Sequence, residues 1–268
     1  MGSLLALTSI VLKTCSRSGA LKSWHPSLRT PTTQDMPCSH SYHQINEMRM
    51  LIPFFITACI YIVISQDSLI SLWVRALSKV LPIICLCILI LSYGKGFIHR
   101  HRKVWKLLAG LFFSAMGDLL LVEQNLKIFI GGAAMFALAH CAYTWAFGFE
   151  TLNLRAGGFI AAAVAVGLGI LSRCSTRFDL LLLSLYCSLI GVMAWRANAE
   201  ILFHHQKSPA KLVGAVGAWF FMVSDLTLAV NLLCFPVPFQ DVIVMTTYYT
   251  AQMLITISIV KVSNNKSD

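Results

Sequence analysis

The sequence predicts an all-α integral membrane protein with eight transmembrane helices and both termini in the cytoplasm. Three observations lead there. The 268-residue chain is 57% hydrophobic and 12% charged, where soluble domains carry about 25% charged residues, and its mean hydropathy is +0.73. After Arg49 the apolar residues gather into eight segments, at 50–66, 80–98, 104–122, 128–149, 156–172, 179–198, 211–233 and 241–260. A membrane helix needs roughly 17–25 such residues. Finally, 16 of the 21 Lys and Arg residues fall in the two tails and the even-numbered loops, and positive charge stays on the cytoplasmic side. An even number of spans returns the C-terminus to that side.

Taken in order, residues 1–49 differ from the rest: they are rich in Ser, Thr, Pro and His, with five basic residues and two acidic. Leu4–Leu12 is too short to span and lacks the basic residues that open a signal peptide. Position 6 is Ala6, so the myristoylation pattern is not met. This stretch reads as a disordered basic tail. Residues 50–260 form the eight-span domain, and 261–268 a short C-terminal tail. Segments one and five are the shortest. Segment five, AGGFIAAAVAVGLGIL, is of a composition that suits close helix packing in lipid. Connections are short, so any chemistry lies within the membrane. A net charge of +10 would suggest nucleic acid for a soluble chain. Here the cations sit between apolar segments and serve topology and lipid headgroups. The bilayer is therefore the expected partner, with no nucleic acid; oligomeric state is not read. The nine cysteines include no C-x-x-C pair and Cys59, Cys85, Cys87, Cys141 and Cys187 lie in spans. Neither a disulfide framework nor a zinc site is expected.

Two residues carry the chemistry. Asp118 and Asp225 are the acidic residues embedded in long apolar runs, in the similar phrases FFSAMGDLLL and FFMVSDLTLA. An ionisable side chain within a span is costly and marks function by default. Aligning segments three and seven pairs Phe113 with Phe220, Asp118 with Asp225 and Leu121 with Leu228. At a slightly different offset, Ala139-His140 of segment four pairs with Ala251-Gln252 of segment eight. Two four-helix parallel repeats would give that pattern. Asp118 and Asp225 lie about 18–21 Å from the cytoplasmic edge by helix rise, at one level. Tyr248 and Tyr249 come to nearly the same plane from the other side. Gln252 shares their helix face, and Ser114, one turn before Asp118, lines the same wall. His140 is the one histidine deep within a span, with Tyr143 three residues on. Asn231, six residues past Asp225, faces elsewhere and can cap the end of its helix. Tyr, Ser and His in a bundle also serve as hydrogen-bonding glue.

One deep histidine cannot build a three-histidine zinc site, and no G-x-S-x-G elbow, Walker loop or dinucleotide fingerprint occurs. Two carboxyls remain. A close pair in a site of low dielectric shares one proton, giving one acid and one base, which suits cleavage through an oxocarbenium ion. Two other readings stand beside it. One is a proton- or cation-coupled transporter of lipid or small molecules, although Pro53 and Pro82 fall near segment ends and no span is broken centrally. The other is a metal-dependent hydrolase on Asp118, Asp225 and His140.

The phrases FFSAMGDLLL, MFALAHCAY, LYCSLIGVMAWRA, FFMVSDLTLAVN and TYYTAQMLI resemble, in order, the hallmark stretches of the YhhN family of eight-span membrane proteins. LCFPVPF resembles its animal branch, whose members are lysoplasmalogenases. The resemblance covers residues 50–260. It implies hydrolysis of the vinyl ether of a lysoplasmalogen to a fatty aldehyde and glycerophospho-ethanolamine or -choline, without a metal or cofactor, in the endoplasmic reticulum membrane. Asp118 and Asp225 would be catalytic, with Ser114, His140, Tyr248, Tyr249, Gln252 and Asn231 orienting water and substrate.

Overall fold

Nine helices and no strand make up the described residues of the computed structural model, which are 37–67, 69–123, 125–202 and 208–264, with the side chains of 37–48, 126 and 178 outside the description. The expectations for the tail before Pro37 fall outside these residues. The helices are α1 (Pro37–Ser65), α2 (Leu72–Ser92), α3 (Lys95–Arg100), α4 (Arg102–Leu120), α5 (Leu126–Phe147), α6 (Leu154–Leu171), α7 (Arg177–Asn198), α8 (Pro209–Leu233) and α9 (Gln240–Asn264). From Met50 onward the chain forms one unit. Short connections make successive long helices antiparallel. The distal end below is the one where α2, α5, α7 and α9 begin and α4, α6 and α8 finish.

Six helices, α2 and α5–α9, are long and apolar enough to cross a membrane. Helix α4 is excluded by its charges, Arg102, Lys103, Lys106 and Asp118. The apolar part of α1, Arg49–Ser65, is shorter than the others.

Three expectations are corrected. The second span begins at Leu72 and ends at Ser92, well before the expected 80–98. Arg75 and Lys79 therefore lie on a helix and not in a loop, and Pro82 sits near its middle. Their side chains recur one turn apart on one face, while Trp73 and Leu77 are exposed on the opposite one; this segment continues the helix despite its cations. Proline removes a helical hydrogen bond and crowds the preceding turn. The Lys79 carbonyl, in that turn, accepts a 2.8 Å hydrogen bond from the Tyr249 hydroxyl. Next, glycine-rich α6 is peripheral and packs closely over only part of its length: 17% of its apolar window is buried, and Gly158 and Gly169 face open space, while a Cβ on Gly157 would stand 3.0 Å from the Trp195 ring. Finally, Cys174 and Cys234 form a disulfide with a Cα–Cα separation of 5.0 Å. Neither lies in an apolar segment. The distal ends of α6 and α8 bring them together across 60 residues of sequence, within the geometry a disulfide requires.

The core is organised by two tightly packed antiparallel pairs, α4 with α5 and α8 with α9. Glycine allows the closeness. A Cβ on Gly110 would run into the Tyr143 ring, and one on Gly217 would stand 3.1 Å from the Ile255 backbone nitrogen. Gly110 and Gly217 have the same spacing as Asp118 and Asp225. At the other end of the bundle Arg196 donates to the carbonyls of Gly148 and Thr151 at 2.8 and 2.6 Å. Asn153 caps α6 and donates to the carbonyls of Ala199 and Leu202. These bonds fix α5, α6 and α7 relative to one another.

Candidate active site

Both aspartates lie sixteen residues past the first residue of their helices, Arg102 and Pro209, about 24 Å along the axis. Helix α4 ends two residues after Asp118, whereas α8 continues for eight beyond Asp225. They share a level but not a network. No hydrogen bond or ion pair joins them among the described residues.

Asp118 is 1% exposed, and its Oδ1 lies 3.5 Å from Lys79 Nζ, a side chain itself only 10% exposed. The Tyr248 hydroxyl donates to Oδ2 at 2.7 Å. One turn further toward the bundle middle lies a closed ring of polar groups. The Tyr143 hydroxyl donates to Gln252 Oε1 at 2.6 Å, Gln252 Nε2 donates to Ser114 Oγ at 2.9 Å, and Ser114 lies 3.2 Å from the Tyr143 hydroxyl. A buried side-chain amide is expensive unless paired, and this ring satisfies both of its ends. Helix α5 comes close enough to take part because Gly117 leaves room for the Phe136 ring, which meets Tyr248 edge-on at 5.7 Å.

Asp225 retains 19% exposure. Its Oδ2 accepts a 2.6 Å hydrogen bond from the Tyr186 hydroxyl and lies 3.4 Å from His140 Nε2. His140 Nε2 is also 3.2 Å from the Tyr186 oxygen, while Nδ1 is 3.4 Å from Met193 Sδ. Three helices, α5, α7 and α8, thus converge on one carboxyl. His140 and Asp225 are joined here by no third His, Cys, Asp or Glu in a metal-ligand cluster among the described residues.

One ring stands between the two networks. Phe221 is fully buried, 4.8 Å from the His140 ring and 5.6 Å from that of Tyr248. The networks are also crossed between the repeat-like halves. His140 of α5 reaches Asp225 of α8, while Tyr248 and Gln252 of α9 reach Asp118 and Ser114 of α4.

The structure brings Ser114, Tyr248 and Gln252 to the Asp118 side and His140 to the Asp225 side. Tyr249 contacts the Lys79 backbone and not a carboxylate. Asn231 is apart from both, its Oδ1 accepting from the Val237 backbone at 2.9 Å, which holds the loop after α8. Two residues were missed from sequence. Lys79 was hidden by the late start assigned to the second span, and Tyr186 lies in the phrase LYCSLIGVMAWRA without a local signal of its partner.

Residues 74–259, which contain both networks, match the YhhN family. The chain belongs to the YhhN family. Among its relatives, the human protein named lysoplasmalogenase TMEM86A is 41% identical over 212 residues, covering 79% of this chain and 88% of the relative. The cattle protein of the same name is 39% identical over the same shares. The pig lysoplasmalogenase TMEM86B is 33% identical over 221 residues, 82% of this chain and 90% of the relative. No solved structure matches the chain. The matched segment of this YhhN protein begins with Val74, so Lys79 falls inside it along with Asp118, His140, Tyr186, Asp225 and Tyr248.

Proposed function

We propose that this protein is a membrane-embedded lysoplasmalogenase that hydrolyses the vinyl ether of a lysoplasmalogen by carboxylate acid–base catalysis. The observation carrying this reading is a carboxyl with an ammonium partner and a carboxyl with an imidazole partner, one aromatic ring apart in an apolar bundle. The names of the relatives supply the substrate class. Eight spans follow when α4 and Arg49–Ser65 join the six long helices. Charge bias then puts both termini in the cytoplasm. The Cys174–Cys234 disulfide suits a distal end facing an oxidising compartment, as the endoplasmic reticulum membrane would provide.

The chemistry assigns unequal roles. Vinyl ethers hydrolyse by transfer of a proton to the β-carbon, which moves the π electrons and leaves an oxocarbenium ion at the carbon bonded to oxygen. Asp225 is the proton donor, because it is the more accessible carboxyl and Tyr186 and His140 hold it in place. His140 Nε2 is within reach to return a proton from water. Asp118, beside the Lys79 ammonium, remains anionic and stabilises the cation electrostatically, acting across the Phe221 ring. Water adds to the oxocarbenium carbon and loses its proton to the carboxylate set. The hemiacetal then collapses to a fatty aldehyde, returning the proton to the glycerol oxygen. One water is consumed and no cofactor is required. Ser114, Tyr143 and Gln252 position Tyr248 and the wall around it.

Detergent-purified protein incubated with alkenyl-glycerophosphoethanolamine in heavy water tests this. Fatty aldehyde carrying one deuterium on the carbon next to the carbonyl is expected, in equal amount with glycerophosphoethanolamine. Lipid bound or moved without aldehyde release would overturn the hydrolase reading in favour of a carrier.

A further inference from the structure

Lys79 explains one end of a feature whose other end has no assigned role. Arg75 precedes it by one turn on α2, about 6 Å along the axis, so both cations share a helix face. Arg75 stands in the first turn of α2, at the distal end, where a lipid phosphate would lie. Its Nη2 donates to the Asp67 carbonyl at 2.9 Å, but its Nε is buried without any hydrogen-bond partner. No carboxylate lies within ion-pair distance of Arg75 among the described residues. Tyr61 is buried, and its hydroxyl has no hydrogen bond within the described residues. Leaving a buried guanidinium donor unpaired is costly, and a phosphate is the group that best matches its fork.

A rival place for an anion exists at the opposite end, in a cavity lined by Lys103, Arg196, Glu200 and Lys211. The cations there are already engaged. Lys103 lies 3.3 Å from Glu150, Lys211 pairs with Glu200, and Arg196 donates to two carbonyls. Arg75 keeps a donor to offer, and it alone leads by a second cation to a catalytic carboxyl.

We propose that Arg75 forms the subsite for the phosphodiester of the lysolipid headgroup, admitting substrate from the distal leaflet, while Lys79, one turn deeper, stays with Asp118. This rests on the lysoplasmalogenase reading and adds to it the headgroup contact and the side of entry. With phosphate at Arg75, the glycerol backbone runs along α2 for about one turn past Lys79. The vinyl ether then arrives beside Asp118 and Phe221. The alkenyl chain lies among the apolar helices.

The test is binding of a saturated 1-O-alkyl lysophosphatidylethanolamine, which cannot be hydrolysed in this way, compared with 1-O-alkylglycerol, which lacks the phosphate. Purified protein carrying Arg75→Gln is expected to lose about 10- to 100-fold in affinity for the phospholipid, as loss of a charge-assisted hydrogen bond brings, with affinity for the alkylglycerol unchanged. Arg75→Lys should recover part of the loss. In turnover, the same Arg75→Gln variant should raise KM for alkenyl lysolipid by a larger factor than it changes kcat or KM for alkenylglycerol. Equal losses on both ligands, or no loss on either, would overturn the subsite. Binding needs no turnover, so the two readings fail separately. Arg75-dependent binding without aldehyde release retains the subsite and removes the hydrolase; aldehyde release with an unaffected Arg75→Gln variant does the reverse.

Discussion

Asp118 and Asp225 stand at the same position of two similar helices, yet their surroundings differ in kind. Asp118 is buried, facing an ammonium and a tyrosine, and is backed by a ring of hydrogen bonds. Asp225 is partly open, and faces an imidazole and a tyrosine. In the mechanism proposed above, a repeated phrase in the sequence is put to two uses: one carboxyl holds charge and the other handles protons. The contrast arises from the helices packed against each. Helix α2 presents Lys79 to Asp118, while α5 and α7 present His140 and Tyr186 to Asp225. Substituting one partner at a time should therefore affect the two sides differently.

The largest effect is expected from Asp225→Asn, which removes the proton donor. Aldehyde release should fall by about 10²–10⁴-fold, the usual contribution of general acid catalysis, with the melting temperature little changed. Lys79→Met comes next and strikes the other side. It leaves Asp118 buried without its counter-charge, a loss of about 3–5 kcal/mol, read as a large drop in thermal stability. The double variant Lys79→Met with Asp118→Asn should recover the stability but not the activity. That outcome would separate charge balance from catalysis, and failure to recover stability would show that Lys79 does not balance Asp118. Tyr186→Phe and Tyr248→Phe each delete one hydrogen bond to a carboxylate, about 1.5–3 kcal/mol. For Tyr186→Phe the loss should appear mainly in kcat, and for Tyr248→Phe mainly in stability; the reverse pattern would exchange the roles of the two aspartates. Smallest in activity is reduction of Cys174–Cys234, which should lower stability by about 2–4 kcal/mol in a reductant-dependent melt.

Much of this contrast was invisible in sequence for physical reasons. The aspartates were legible because a charge in an apolar run is unmistakable, and helix rise alone put them at one depth. Their separation was not, because a hydrogen-bond partner 39 residues away, as Tyr186 is from Asp225, leaves no local trace. Lys79 was obscured by its own charge. Counting apolar residues pushed the start of α2 past it, whereas the one-turn spacing of Arg75 and Lys79 opposite Trp73 and Leu77 was a readable sign of a helix with its polar face inward. Cys174 and Cys234 meet only because α6 and α8 end side by side, and the absence of a short cysteine spacing says nothing about such a pairing.

The difference between a buried anion and a partly open acid can be measured directly with an apolar carbodiimide, which reacts with protonated carboxyls reachable from lipid. Wild-type protein in detergent is treated and the modified peptides are read by mass spectrometry, with and without a saturated alkyl lysolipid. Modification of Asp225 ahead of Asp118, in step with loss of aldehyde release and slowed by the alkyl lysolipid, is the predicted result. Modification of Asp118 first, or of both at equal rates, would contradict the assignment of the two carboxyls.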